Sequence, residues 1–371
     1  MVVPTDWKEV RLGDICELSL AASKKSRSDG RGKYIIADMG SVSKDGSFLT
    51  HKTTDVREDV LRTGDLVMPK DDIGGGQIIG KAVLVDEDER YVLGDHVYRL
   101  RLSDGCPAFV RYGINSYKVN IQLRSKVVGS AQLGLGRRAV LEQPISFPLL
   151  KEQEAIAEVL SDADAAVESI DALIAKKRDV KQATMQQLLT SRTRLPGFTT
   201  DWKEVRLGEC LIIMHGKNQS QIIDPEGRYP ILATGGVIGR TNSYLSNKPS
   251  VLIGRKGTID RPQFMDTPFW TVDTLFYSEV KNGNSAKFLF YKFLMVDWKK
   301  YNEASGVPSL NASTIENVEM LMPPLKEQEA IAEVLSAMDD ELEALTEQVL
   351  KLRMVKEGMM QDLLTGKVRL V

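Results

Sequence analysis

Apolar residues return along two stretches of the chain at alternating steps of four and three. One series runs Ile156, Leu160, Ala163, Val167, Ile170, Ile174, Lys177, Lys181, Thr184, Leu188. The other runs Ile331, Leu335, Met338, Leu342, Leu345, Val349, Leu352, Lys356, Met359, Leu363. This is a heptad seam sustained over about four repeats, and it predicts two long helices packed on each other as a coiled coil. Pro148 and the pair Pro323, Pro324 are start signals, and no Pro or Gly interrupts before Ser191 in the first copy or Gly358 in the second. About 40 residues at 1.5 Å each make a rod of roughly 60 Å. Lys181 and Lys356 break the seam at equivalent positions. Two readings stand: the lysines limit register or meet a partner, or their amines simply reach out to water.

Between the helical stretches the pattern shortens. Runs such as KYIIADMG, GDLVMPK, KAVLVDE and YVLGDHVYRLRL, then YPILATGG, SVLIGRKG and FWTVDTLFYSEV, alternate with Gly, Asn and Asp turns. They predict two strand-rich, mixed α/β heads. A strand ending in a basic turn (Leu66 to Lys70; Val251 to Lys256) precedes an aromatic strand with an acid (Tyr91 to Asp95; Trp270 to Asp273), and Ser130 and Leu135 align with Ser305 and Leu310. One scaffold carrying different loops is expected.

The alignment rests on an internal repeat. TDWKEVRLG stands at Thr5 to Gly13 and again at Thr200 to Gly208; LKEQEAIAEVLS stands at Leu150 to Ser161 and again at Leu325 to Ser336. A constant frame thus surrounds a variable insert, twice. The join RTRLPGFTTDW reads as a linker, and the chain's two ends match its two halves. The repeat is circular in character, so the termini are expected close together and the halves related by a pseudo-two-fold axis.

Charge changes the picture only when it is divided. The 371 residues carry a net charge of −2, without the positive excess that would by itself advertise a nucleic-acid binder. Residues 14 to 147 hold 20 basic and 18 acidic residues, and 209 to 322 hold 12 and 11; the helices hold 5 against 8 and 4 against 10. The deficit lies on the helices. Within the heads, basic and amide side chains gather in loops: Lys24, Lys25 and Arg27; Lys70 near Gln77; Arg137 and Arg138; Lys217 and Asn218; Arg240 and Asn242; Arg255 and Lys256. Arg suits guanine, Asn and Gln suit adenine, and Lys meets phosphate. A solvated turn is the plainer reading for any one loop.

Catalytic motifs fail. GGGQIIG lacks the helix and later acid of a dinucleotide site, IGRKGTI is no P-loop, and DTPFW has no companion cofactor motif. His51, His96 and His215 show no metal-ligand spacing, and Cys16, Cys106 and Cys210 form neither a CxxC pair nor a disulfide framework. No signal peptide or membrane span is read, so a soluble cytoplasmic protein is expected.

Two variable heads alternating with two matched helices, each head closing on a PxLKEQEAIAEVL-type sequence, resemble the specificity subunit of type I restriction-modification enzymes; TDWKEVRLG and LLTG at Leu363 to Gly366 fit the same pattern. The resemblance implies an α+β chain with target recognition domains at 1–149 and 192–324 and conserved helices at 150–191 and 325–371. It implies two domains that each read half of a bipartite, asymmetric site in double-stranded DNA across a fixed spacer. It further implies docking of two methyltransferase (M) subunits and of restriction-translocase (R) subunits. S-adenosylmethionine, ATP and Mg are then expected on those partners, with no metal, cofactor or catalytic residue in this chain, a non-catalytic part of an adenine-N6 methyltransferase and endonuclease complex. The competing reading is an assembly scaffold whose heads bind protein rather than DNA.

Overall fold

The computed structural model describes residues 4–24, 31–49, 52–73, 75–129 and 133–370. By internal contacts the chain divides into two units, Met1–Ile170 with Gln348–Val371, and Asp171–Glu347. Both boundaries fall inside the long helices. Each unit therefore holds one head, the first half of one long helix and the second half of the other.

The two heads share one topology. In the first, a four-stranded sheet has the order Cys16–Ser19, Val97–Leu102, Leu66–Pro69, Val83–Leu84; in the second, Leu211–Met214, Leu275–Val280, Ser250–Gly254, Gln263–Met265. A three-stranded sheet follows the same rule twice: Tyr34–Ala37 lies between antiparallel Thr53–Thr54 and parallel Tyr91–Leu93, as Tyr229–Ala233 lies between Gly236–Thr241 and Trp270–Thr271. The repeated KEVR strands, Lys8–Arg11 and Lys203–Arg206, each pair with the strand leading to a long helix, Pro144–Phe147 and Glu319–Met322. The expectation of one scaffold with different loops is met. The pair Asp71–Asp72 with Leu133–Gly134 in the first head has its counterpart in the second as the single bridge Lys256 to Ser309. The run YVLGDHVYRLRL divides between two sheets, because the turn at Gly94 to His96, with His96 at φ 59°, redirects the chain.

The long helices are Leu150–Leu188 and Leu325–Leu363, each 39 residues and offset by the repeat distance. Every seam residue of both series is buried or half-buried, in the same order of burial along the two helices. The second helix runs through Gly358, as the seam continuing to Met359 and Leu363 requires. An interior Gly costs only about 1 kcal/mol relative to Ala, less than the packing of Met359 and Leu363 against the first head's core returns. Beyond the first helix, Ser191 takes a left-handed φ of 59° and turns the chain out.

Within each unit the helix halves run antiparallel. In the first, Ile156 and Leu160 share a core with Leu363, Leu364, Trp7, Phe109 and Tyr112; in the second, Ile331 and Leu335 share one with Leu188, Leu189, Phe288, Tyr291 and Trp298. Burying each such side chain stabilises by about 1.5–3 kcal/mol. No helix among the described residues is long and apolar enough to cross a membrane.

Candidate nucleic-acid interface and its helical frame

The repeated EQ of the LKEQEAIAEVL motif is the node of the frame. Glu152 and Glu327 are each 1% exposed at the side chain, near the N-terminus of their helices, where a carboxylate is favoured by the helix dipole. Trp7 Nε1 donates to Glu152 at 3.0 Å and Trp202 Nε1 to Glu327 at 3.2 Å. Arg369 grips Glu152 through Nε at 2.5 Å and a terminal nitrogen at 2.8 Å, and Arg194 grips Glu327 through two nitrogens at 2.6 Å. The adjoining Gln153 and Gln328 accept from the backbone N–H of Cys106 and Ser285, both at 2.9 Å, and donate to the carbonyls of Pro148 and Pro323. Cys106 and Ser285 begin the head helices Pro107–Asn115 and Ala286–Met295. One dipeptide thus fixes the frame strand, the end of the other long helix and the head.

Arg369 also donates to Asp6 at 2.7 Å, which brings the two ends of the described chain together as the circular repeat implies. In the second unit the same place is crossed by the continuous linker from Arg194 to Trp202.

The seam lysines reach acids on the opposite helix. Lys181 pairs with Asp339 and Lys356 with Asp164, positions that are themselves related by the repeat. Tyr291 and Tyr112 of the head helices donate to those same carboxylates, at 2.7 and 2.6 Å. Of the two readings of these lysines, simple exposure to water gives way to an intramolecular ion pair. At Asp164, burial would raise the carboxyl, but the hydrogen bonds from Lys356 and Tyr112 and the charges of Lys356 and Arg111 outweigh it and hold it below its usual value. Burial and the bond to Asp164 push Tyr112 up to about 12. Lys177 pairs with Glu341 at 2.7 Å. Sequence reasoning missed Tyr112 and Tyr291, which stand 38 and 34 residues before Leu150 and Leu325, unequal distances that hide their equivalence.

The loop candidates divide by what holds them. Lys24 is turned inward, its side chain 3% exposed, against Asp59 at 2.8 Å. Arg138 pairs with Glu142 at 2.7 Å. Arg240 donates to the carbonyls of Gly227 and Arg228, and Asn242 joins Asp224 at 2.6 Å, so both brace the base of a hairpin. Lys70 stands 3.6 Å from Asp71, which accepts from or shares a proton with His96 at 2.7 Å. Arg255 donates weakly to the Asp273 carbonyl at 3.3 Å. Gln77, Arg137, Lys217 and Lys256 are exposed, with no side-chain partner among the described residues, and Asn218 closes a turn by accepting from Ser220 N–H at 2.8 Å. Lys25 and Arg27, like His51 and Ser130, lie outside the described residues.

Equivalent backbone bonds locate the loops on the common scaffold. Leu135 N–H donates to the Lys70 carbonyl at 2.7 Å, and Leu310 N–H to the Arg255 carbonyl at 3.0 Å. Lys70 and Arg255 are therefore counterparts. Gly216, before Lys217, passes so near Val272 that a Cβ would lie 2.0 Å from its carbonyl oxygen; only glycine lets the chain deliver Lys217 there. Among the described residues no three His, Cys, Asp or Glu side chains are grouped to hold a metal. Cys16 and Cys210 are buried and Cys106 half-buried, all three as free thiols; burial pushes Cys16 up to about 11.

Comparison with known proteins supplies the family. The model of the type I restriction modification DNA specificity domain matches residues 4–176 and again 199–352, most of the chain. The putative type I restriction enzyme MjaX specificity subunit of Methanocaldococcus jannaschii is 24% identical, covering 99% of this chain and 95% of its own length. The EcoDI specificity subunit of Escherichia coli is 24% identical over 44% of this chain and 37% of its length. The crystal structure of a type I restriction-modification S subunit from M. genitalium has the same fold, with a TM-score of 0.71 over 96% of both chains at 18% identity. With both of its halves matched by one domain model, the chain belongs to the type I restriction-modification DNA specificity family and carries the specificity domain twice.

Proposed function

We propose that each head reads one half of a bipartite, asymmetric DNA sequence across a nonspecific spacer, and that the paired seams of the long helices set the spacer length. The observation that carries this reading is one topology built twice with different loops: the scaffold is constant where placement matters and variable where bases are met. Two modest readers on one support bind with a high effective concentration at one separation only. If both heads face one side of the duplex, their half-sites lie about one helical turn, ~34 Å, apart.

As a specificity subunit the chain leaves the chemistry to partners. The proposal includes two methyltransferase subunits seated on the frame and restriction-translocase subunits joining them. S-adenosylmethionine, ATP and Mg belong to those subunits. Near-neutral heads and acidic helices support a division in which partners supply much of the phosphate attraction, so the isolated chain binds DNA weakly.

Mapping methylated adenines genome-wide, in cells with and without the chain, tests this. A discrete two-part motif that disappears with the chain is expected. Methylation without sequence preference in the complete complex would favour the competing scaffold, whose heads bind protein.

A further inference from the structure

In the second head, the antiparallel strands Tyr229–Ala233 and Gly236–Thr241 form a ribbon closed by the two-residue turn Thr234, Gly235. Its outer strand is an edge of the three-stranded sheet. Along it Val237 is 63% exposed and Ile238 55% exposed, at a β-bulge: Val237 pairs with Leu232 and Gly239 with Ile231, which leaves Ile238 without a partner and breaks the alternation of faces. The tip thus presents two adjacent uncovered apolar side chains, a hazard that soluble proteins ordinarily avoid on an edge strand. Gly235 and Gly236 form the open end of the turn, where a Cβ would meet nothing within 4 Å, and Gly236 takes a φ of 109°, which glycine adopts without strain.

The surroundings of the tip are basic. Gln263 donates to the carbonyls of Ala233 and Thr234, and Gly257 lies beside Thr234, which sets Lys256 next to the turn. The central strand of the sheet pairs with Trp270, whose indole N–H donates to the Lys217 carbonyl at 2.9 Å. Lys217 and Lys256 have no acidic partner among the described residues, and Asp273 is an exposed acid beside Arg255.

We propose that this ribbon is the element of the second head that enters the DNA major groove, with Val237 and Ile238 against thymine methyl groups and Lys217 and Lys256 holding phosphates. A sheet with its side chains is about 10 Å thick, which suits the ~12 Å major groove and not the ~6 Å minor one. Apolar contact is how a protein reads the thymine methyl, and glycines at the tip let the backbone come close to the bases. In the first head the corresponding edge strand, among the described residues, is Thr53–Thr54, and Ile73 is exposed beside the pair Asp71–Asp72 with Leu133–Gly134. The two heads therefore present different reading elements, as an asymmetric site requires. The inference rests on the DNA-reading function proposed above.

The test uses the chain assembled with its methyltransferase subunits, adenine methylation mapping, and binding to duplex DNA carrying the wild-type motif. Val237→Ser and Ile238→Ser are expected to relax one or two base pairs of a single half-site, lowering discrimination there about 5- to 150-fold, the range of a good base contact. The other half-site stays unchanged. Lys256→Ala is expected to weaken binding evenly across sequences and to lower the salt slope by about 0.9. Should a serine variant fail to fold, the lysine variant decides, and an unchanged salt slope overturns the inference. Folded serine variants that keep the wild-type motif at both half-sites overturn it also, as do variants that lose the methyltransferase subunits, which would make the ribbon a protein contact. A wild-type complex with no discrete motif would instead refute the DNA-reading function itself.

Discussion

Arg369 Nε donates to Glu152 Oε1 at 2.5 Å, on a carboxylate that also accepts from Trp7 at 3.0 Å. The arrangement is repeated by Arg194, Trp202 and Glu327. A buried carboxylate must be satisfied on every side, since a charge left without partners in the interior costs more than the pair contributes. Trp7→Phe keeps the ring and removes one donor. It is expected to destabilise the first unit by about 1.5–3 kcal/mol, a fall of roughly 3–12 °C in melting temperature by calorimetry. Arg369→Ala should lower it further, and Trp202→Phe should act on the second unit alone.

The ion pairs of the seam predict a reversal experiment. Lys356→Asp places a second acid against Asp164 and should destabilise the first unit by more than Lys356→Ala does. Asp164→Lys combined with Lys356→Asp restores the attraction and should recover most of the loss. The same holds for Lys181 and Asp339 in the second unit. Circular dichroism melts of the three variants suffice; a double reversal no better than the single would show that the pair contributes only packing of the lysine stem.

Asp164 makes stability depend on acid pH. Its carboxyl is held below the usual 3.8 in the folded chain. The unfolded state therefore binds more protons as pH falls, and the contribution, complete above the unfolded value, is lost as pH drops through the folded one. Asp164→Asn should be less stable than the native chain at pH 7, by about 1.5–3 kcal/mol, and the gap should close toward pH 3 in melts across that range.

Lys292 works in the opposite direction. It is buried, donates to the Leu189 carbonyl at 3.0 Å, and is pulled down to about 8 by loss of solvent. Between pH 8 and the ordinary 10.5 the unfolded chain keeps a proton that the folded chain has released. Stability of the second unit should therefore rise across that interval relative to Lys292→Met, which lacks the group. Equal pH profiles for the two proteins would exclude the effect.

Much of the fold was legible from periodicity and repetition. The step of four and three placed Ile156, Leu160, Ile331 and Leu335 in the cores they occupy, because burial of one helix face is a local consequence of spacing. The matched distances also foretold one shared scaffold and the counterparts Leu135 and Leu310. Partner identity across space was not legible. That Lys181 would meet Asp339 and Tyr291 depends on how head and helices pack, and spacing alone does not distinguish that arrangement from a solvated amine. The loop cations show the same limit: Lys24 and Lys217 are alike in composition and turn context, yet Lys24 is spent on Asp59 while Lys217 stands free of partners among the described residues. Val237 and Ile238 fall beyond the run YPILATGG and drew no reading, because their exposure depends on their place at the sheet edge.

The most direct measurement is exchange of residues 14–147 for the corresponding head of another family member, followed by adenine methylation mapping of the complete complex. The expected result is a new sequence at one half-site, with the other half-site and the spacer length unchanged. Methylation of both original half-sites after the exchange would contradict the assignment of sequence reading to the heads.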